Sequence, residues 1–163
     1  MEKKRKRRMA LHTLKVIILF LISLPVLGQK HKINFKEEIA PSSAMFLAGV
    51  FNGVSQDLIF HYDEFENTFP NHNRQFWNPE LSWRNKYKNG DPNQGRKFFG
   101  STTFLVGTTD GYHAMLSSRD IMIVTSISLS GKPKSFKHFM KKTIIYTLSY
   151  GVGFELSYRR IIK

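Results

Sequence analysis

Apolar residues in this chain gather into runs instead of alternating with polar ones, and the runs define its elements. Behind Ser42-Ser43, a pair suited to capping a helix, apolar residues dominate Ala44 to Phe60. This predicts a first helix over 43–65, closed by Pro70. Residues 66–99 lose any sustained period. They hold Pro70, Pro79, Pro92, Gly90 and Gly95, with the turn signal Asn89-Gly90-Asp91-Pro92. An irregular loop is expected there, with one short helix near Pro79–Tyr87. Residues 101–116 read as a second helix, although the β-branched stretch Thr102–Thr109 suits a strand equally well. The run IMIVTSISL at 121–129 is open in the same way. Gly131 and Pro133 break the pattern, and Ser135 leads into a last helix reaching about Arg160.

The predicted fold class is therefore mainly α: three to four close-packed helices carrying a long aromatic-basic loop. A small all-β envelope barrel or sandwich is the alternative.

Spaced glycines sharpen the helical reading. Gly49 and Gly53, Gly107 and Gly111, and the series Ser149, Gly153, Ser157 each recur at four-residue intervals. On a helix such residues share a face and let two backbones approach closely. Glycine within a helix costs about 1 kcal/mol relative to alanine, so tight packing is the expected return. Packing of this kind suits lipid, but a membrane span needs about 20 largely apolar residues. Ala44–Tyr62 approaches that length and is weakened by Asn52, Gln56, Asp57 and His61. Residues 63–100 hold six Lys/Arg and 131–142 hold five. One unbroken span between them would place two basic loops on opposite sides, against the positive-inside rule.

The N-terminus changes the compartment. Met1–Arg8 contains six Lys/Arg, Leu14–Leu27 is almost wholly apolar, and Val26-Leu27-Gly28 offers small or aliphatic residues before Gln29. This is the order of a secretory signal over 1–28, with retention as an anchor the alternative. A flexible lead-in is expected over 29–42 and a single helical domain over 43–163. Removing the signal leaves 18 basic and 11 acidic residues, so the chain's +13 falls to +7. In an exported protein that surplus favours lipid head groups or glycans over nucleic acid. The chain has no Cys, so neither disulfides nor thiolate chemistry enter. The expected location is the membrane or periplasm, with membrane lipids as partners and no nucleic acid. Lys134, Lys137 and Lys141, beside Phe136, Phe139 and Met140, are candidate lipid head-group ligands.

Chemistry, if present, would come from polar residues on the small-residue faces. Asp57 and His61 continue the Gly49–Gly53 face, Asp110 and His113 form an i, i+3 pair, and Glu155 lies in the apolar half of the last helix. Gathered in a bundle core, these five would suit a divalent metal in kind. The plainer expectation is a hydrogen-bonded network that fixes helix register, with no cofactor. Asp91-x-Asn93-x-Gly95 begins like a calcium loop, but Thr102 occupies the closing carboxylate position. No G-x-S-x-G or phosphate-binding glycine loop occurs. His72 and His138 read as surface residues.

The loop's strings carry a resemblance. Phe76-Trp77-Asn78-Pro79, Ser82-Trp83, Asn85-Lys86-Tyr87-Lys88-Asn89-Gly90-Asp91 and Thr109-Asp110-Gly111-Tyr112-His113 resemble a group of small exported bacterial proteins of unknown function, over about 45–115. The resemblance implies a fixed loop and brings no activity or cofactor. Trp77, Trp83 and Tyr87 are then expected as an interface anchor or a lid over the helix ends. Taken together, these features predict an exported, membrane-associated helical protein with a structural or interaction role in the cell envelope. The alternative is a metal-dependent membrane enzyme, hydrolase-like, built on the Asp/His/Glu cluster.

Overall fold

The computed structural model describes residues 35–161, so the expected signal segment lies outside the described residues. Three long helices form a body: α1 (Phe35–Phe60), α5 (Gly111–Leu129) and α6 (Phe136–Leu156). Between the first two lies a cap made of α2 (Tyr62–Thr68), α3 (Arg74–Trp77), α4 (Pro79–Ser82) and several single turns. A π-helical turn, Ser157–Ile161, follows α6. Among the described residues the β pairing is one isolated bridge, Tyr87–Arg96. The fold is mainly α, and the barrel or sandwich alternative is set aside.

Several boundaries differ from the sequence reading, each for a local reason. α1 begins eight residues early, so 35–42 is helix and not lead-in, and Ser42 and Ser43 lie inside it. Pro41 lies inside that helix, and its buried carbonyl accepts from Ser126 Oγ at 2.8 Å. α1 ends at Phe60 because His61 leaves helical geometry (φ −141°, ψ 41°) before α2 begins. The second long helix starts at Gly111 and not 101, since Asp110 caps it and residues 101–109 are turns. That helix runs unbroken through Ser117–Asp120 to Leu129. Ser135 caps α6 as expected, with its hydroxyl accepting from His138 N–H.

α1 is the central helix. It packs along both α5 and α6, which make far less contact with each other. Two of the three glycine series explain its closeness to α6. A Cβ on Gly49 would press on the Tyr150 carbonyl and the Phe154 amide, and one on Gly153 would press on the Phe46 carbonyl. One on Gly53 would meet Ser157 Oγ and the Phe154 carbonyl. Backbone therefore lies against backbone over two turns. The third pair acts otherwise. Gly107 faces Ser117 and Gly111 faces the Trp77 ring, so both fit the cap onto α5.

Burial in the body is inverted. Among the described residues its seams hold Glu38, Ser55, Asp57, Ser126, Lys141, Lys142 and Ser157, and the buried apolar side chains beside them are Pro41, Ala44, Ala48 and Leu58. Its outer surface holds Ile39, Leu47, Phe60, Ile121, Val124, Ile127, Leu148 and Val152, with Phe60 66% and Ile127 67% exposed. Hydrogen bonds make the polar interior tenable. Lys142 Nζ lies 2.9 Å from Glu38 Oε1 and also donates to the Ser130 carbonyl, while Tyr146 donates to Glu38 Oε2 at 2.5 Å. Midway along, Arg119 donates to Asn52 Oδ1 at 3.2 Å. The cap is built the ordinary way, on an apolar cluster of Leu58, Phe65, Val54, Tyr62, Trp77, Tyr112 and Met115.

Candidate functional site

The chemistry-bearing residues of the described chain converge best where the cap meets α5. Asn78 starts this region by accepting from Glu80 N–H at 2.9 Å, with Pro79 in the first helical position of α4. This short helix buries Ser82 and presents Trp83 beside it. Asn85 then ties the loop down, donating to the Gln75 carbonyl at 2.8 Å and the Thr109 carbonyl at 3.0 Å. Thr109 leads directly into the Asp110 cap.

Asp110 is 2% exposed and does two jobs with one carboxylate. Its Oδ1 accepts from His113 N–H at 2.8 Å, which caps α5. The His113 ring folds back so that Nδ1 lies 2.8 and 2.9 Å from the two carboxylate oxygens. Against an ionised carboxylate Nδ1 is the donor, which leaves Nε2 as the ring nitrogen open to other partners. A cleft of about 160 Å³ opens beside this pair, lined by Ile59, Pro79, Ser82, Trp83, Tyr112 and His113. An imidazole held by a carboxylate next to a buried hydroxyl can accept a proton or hold one small polar group. Apolar walls and the small volume limit what enters.

Two larger depressions lie on the outer surface of the body and lack such convergence. One, about 650 Å³, runs between α1 and α6 past Phe46, Leu47, Ile145 and Val152. The other, about 430 Å³, follows α6 from Thr147 to Arg159.

The five residues expected as a metal set do not meet. Among the described residues no three His, Asp or Glu side chains are placed to hold a metal ion. Asp110 and His113 come together, but as a helix cap and the residue it orients. Asp57 is fully buried, and His61 turns to Tyr158, with Nε2 3.0 Å from the phenol oxygen. Glu155 points outward and pairs with Arg159 at 2.9 Å. The reason is geometric. The i, i+3 pair reflects a helix start, while Glu155 occupies the outer face of α6, away from Gly153.

The aromatic trio separates too. Trp77 is half-buried against Phe65, ring centroids 5.5 Å apart, and lies over Gly111, which makes it part of the cap's core. Trp83 is exposed, pairs edge-on with Tyr87 at 6.2 Å and carries Arg84 over its ring at 5.4 Å. Of the three lysines, Lys134 and Lys137 are exposed, but Lys141 is buried with Lys142. Lys134 precedes the Ser135 cap, so the three never share a helical face. His72 is half-buried: its Nδ1 bonds the Phe69 carbonyl at 2.6 Å and its Nε2 bonds the Tyr62 hydroxyl at 2.5 Å. Burial is the first cause that pushes the Tyr62 hydroxyl's pKa up.

Sequence reasoning passed over Ser82, Asn85 and the Glu38–Lys142–Tyr146 cluster. The Asn-Pro pair at 78–79 was a legible helix start, but nothing local marks partners 104 residues apart. No family model, no curated protein and no solved structure matches the chain.

Proposed function

We propose that this chain is an exported, membrane-associated protein of the cell envelope with a structural or interaction role. The observation that carries this reading is the inverted burial of the body. Apolar side chains outside and hydrogen-bonded polar ones inside suit a helical body whose surroundings are themselves apolar. Among the described residues no helix is long and apolar enough to cross a membrane. A helix that packs one side against its neighbours hides polar residues such as Ser126 and Lys142 from its surroundings. The outward faces offer Ile39, Leu47, Ile121, Val124, Ile127 and Val152, beside the charged Asp120 and Glu155. On this reading the body lies in or against the acyl region, and the cap stands at the head groups.

Alkaline carbonate extraction of a membrane fraction tests it. Retention of the protein in the pellet is expected, and full release would refute the reading. Export is tested separately. N-terminal sequencing of the mature chain is expected to begin at Gln29 if the signal is cleaved, or at Met1, with protease reaching the cap from the periplasmic side, if it is kept as an anchor.

The Asp110–His113 cleft supports a second reading, a small-ligand or acid–base site that needs no metal. His113→Gln would abolish such binding or turnover while leaving Asp110 to cap α5.

A further inference from the structure

The stretch from Trp83 to Leu105 has features that the helical body does not explain. It holds five Lys/Arg and one acid, Asp91, whose carboxylate is engaged in capping the turn at 92–94. At its far end two phenylalanines stand in the open, Phe99 at 75% and Phe104 at 68% exposure. They face each other edge to face, centroids 5.6 Å apart, and Arg96 lies over the Phe99 ring at 5.8 Å.

This knuckle is held in place from below. Ser101 is fully buried and donates to the Lys86 carbonyl at 2.8 Å, and Lys97 N–H donates to the same carbonyl at 2.9 Å. Lys88 N–H reaches the Gly95 carbonyl at 3.0 Å. Gly100 makes the reversal between the rings, with φ of 85°, and the Thr103 and Leu105 amides both donate to its carbonyl at 3.0 Å. Two large apolar rings are therefore fixed outward by a buried polar anchor, where a soluble loop would fold them under. Little ordering entropy is left to lose when they meet a partner.

We infer that Phe99 and Phe104, flanked by Arg96 and Lys97, form an insertion knuckle that docks on anionic phospholipid. Phenylalanine rings enter the acyl boundary, and the guanidinium and ammonium groups beside them meet phosphate at head-group depth. Paired phenyl rings without a hydrogen-bonding edge suit hydrocarbon better than a glycan. The inference rests on the membrane reading above and adds to it a lipid class and a contact point.

The test uses the full chain, purified in mild detergent and diluted into vesicles of phosphatidylcholine alone or mixed with phosphatidylglycerol. Cosedimentation is read at several salt concentrations. The wild type is expected to favour the anionic vesicles, and salt to weaken that preference. Arg96→Gln with Lys97→Gln removes two charges worth about fivefold each, so the preference should fall by about 25-fold. Phe99→Ser with Phe104→Ser should weaken binding to both vesicle types by about tenfold or more. Circular dichroism matching the wild type shows that each variant is folded, and a variant that fails this is replaced by Phe99→Ala or Lys97→Gln alone. If folded variants bind as the wild type does, or a soluble anionic glycan displaces the protein from both vesicle types, the knuckle inference is overturned. If the wild type binds neither vesicle, the membrane reading itself fails.

Discussion

The interiors of the body and the cap are built by opposite rules. In the cap, Phe65 and Trp77 turn inward and Arg84, Lys88 and Lys97 turn out. In the body, Ser126, Asp57 and Lys142 turn inward and Ile121, Val124 and Ile127 turn out. The cap is held by apolar burial of the kind that water drives. The body is held by backbones that touch at Gly49, Gly53 and Gly153 and by polar groups that bond across its seams. One chain therefore builds two kinds of interior, with the change falling near His61 and Asp110.

Breaking the body's polar seam should have the largest effect. Lys142→Met leaves the Glu38 carboxylate buried beside Tyr146, and about 4 kcal/mol should be lost. The double variant Glu38→Gln with Lys142→Met should recover most of it; thermal unfolding followed at 222 nm checks both. Next come the close contacts. Gly153→Val should cost about 3 kcal/mol because its side chain meets the Phe46 backbone. Gly151→Ala, on the open side of the same helix, should instead gain about 0.5–1 kcal/mol. Equal effects at the two glycines would abolish the contrast between inner and outer faces.

The cap should respond more mildly. Asp110→Ala removes the α5 cap and should cost about 1–2 kcal/mol, read by denaturant unfolding, with faster amide exchange at His113. The smallest effect concerns pH. The Asn93 N–H, and then the Gln94 and Asn93 side chains, hold the Asp91 carboxyl below its ordinary value of 3.8. Its folded pKa is depressed, so the turn's support is complete above that ordinary value and disappears as pH falls through the lower one. The protection factor at Asn93, exchange corrected for the intrinsic rate at each pH, should fall there and hold steady between pH 5 and 8.

The helical class, two of the three glycine series, the Pro79 helix start and a structured loop were all legible in the residues. The glycines at 49, 53 and 153 were readable because a missing Cβ on one face has a single geometric use. The α1 start was not, since Ser42 and Ser43 look like caps, yet both lie inside a helix that begins at Phe35. The metal set failed for a related reason: spacing places residues on a helix but does not say toward which neighbour that side turns.

By itself, then, the sequence determined which segments coil and where backbones could touch, because periodicity and side-chain size are local properties. Only the tertiary structure decided that the polar residues of the body face inward and the apolar ones outward. α1 packs between two helices, and which of its sides each neighbour takes depends on partners as far apart as Glu38 and Tyr146.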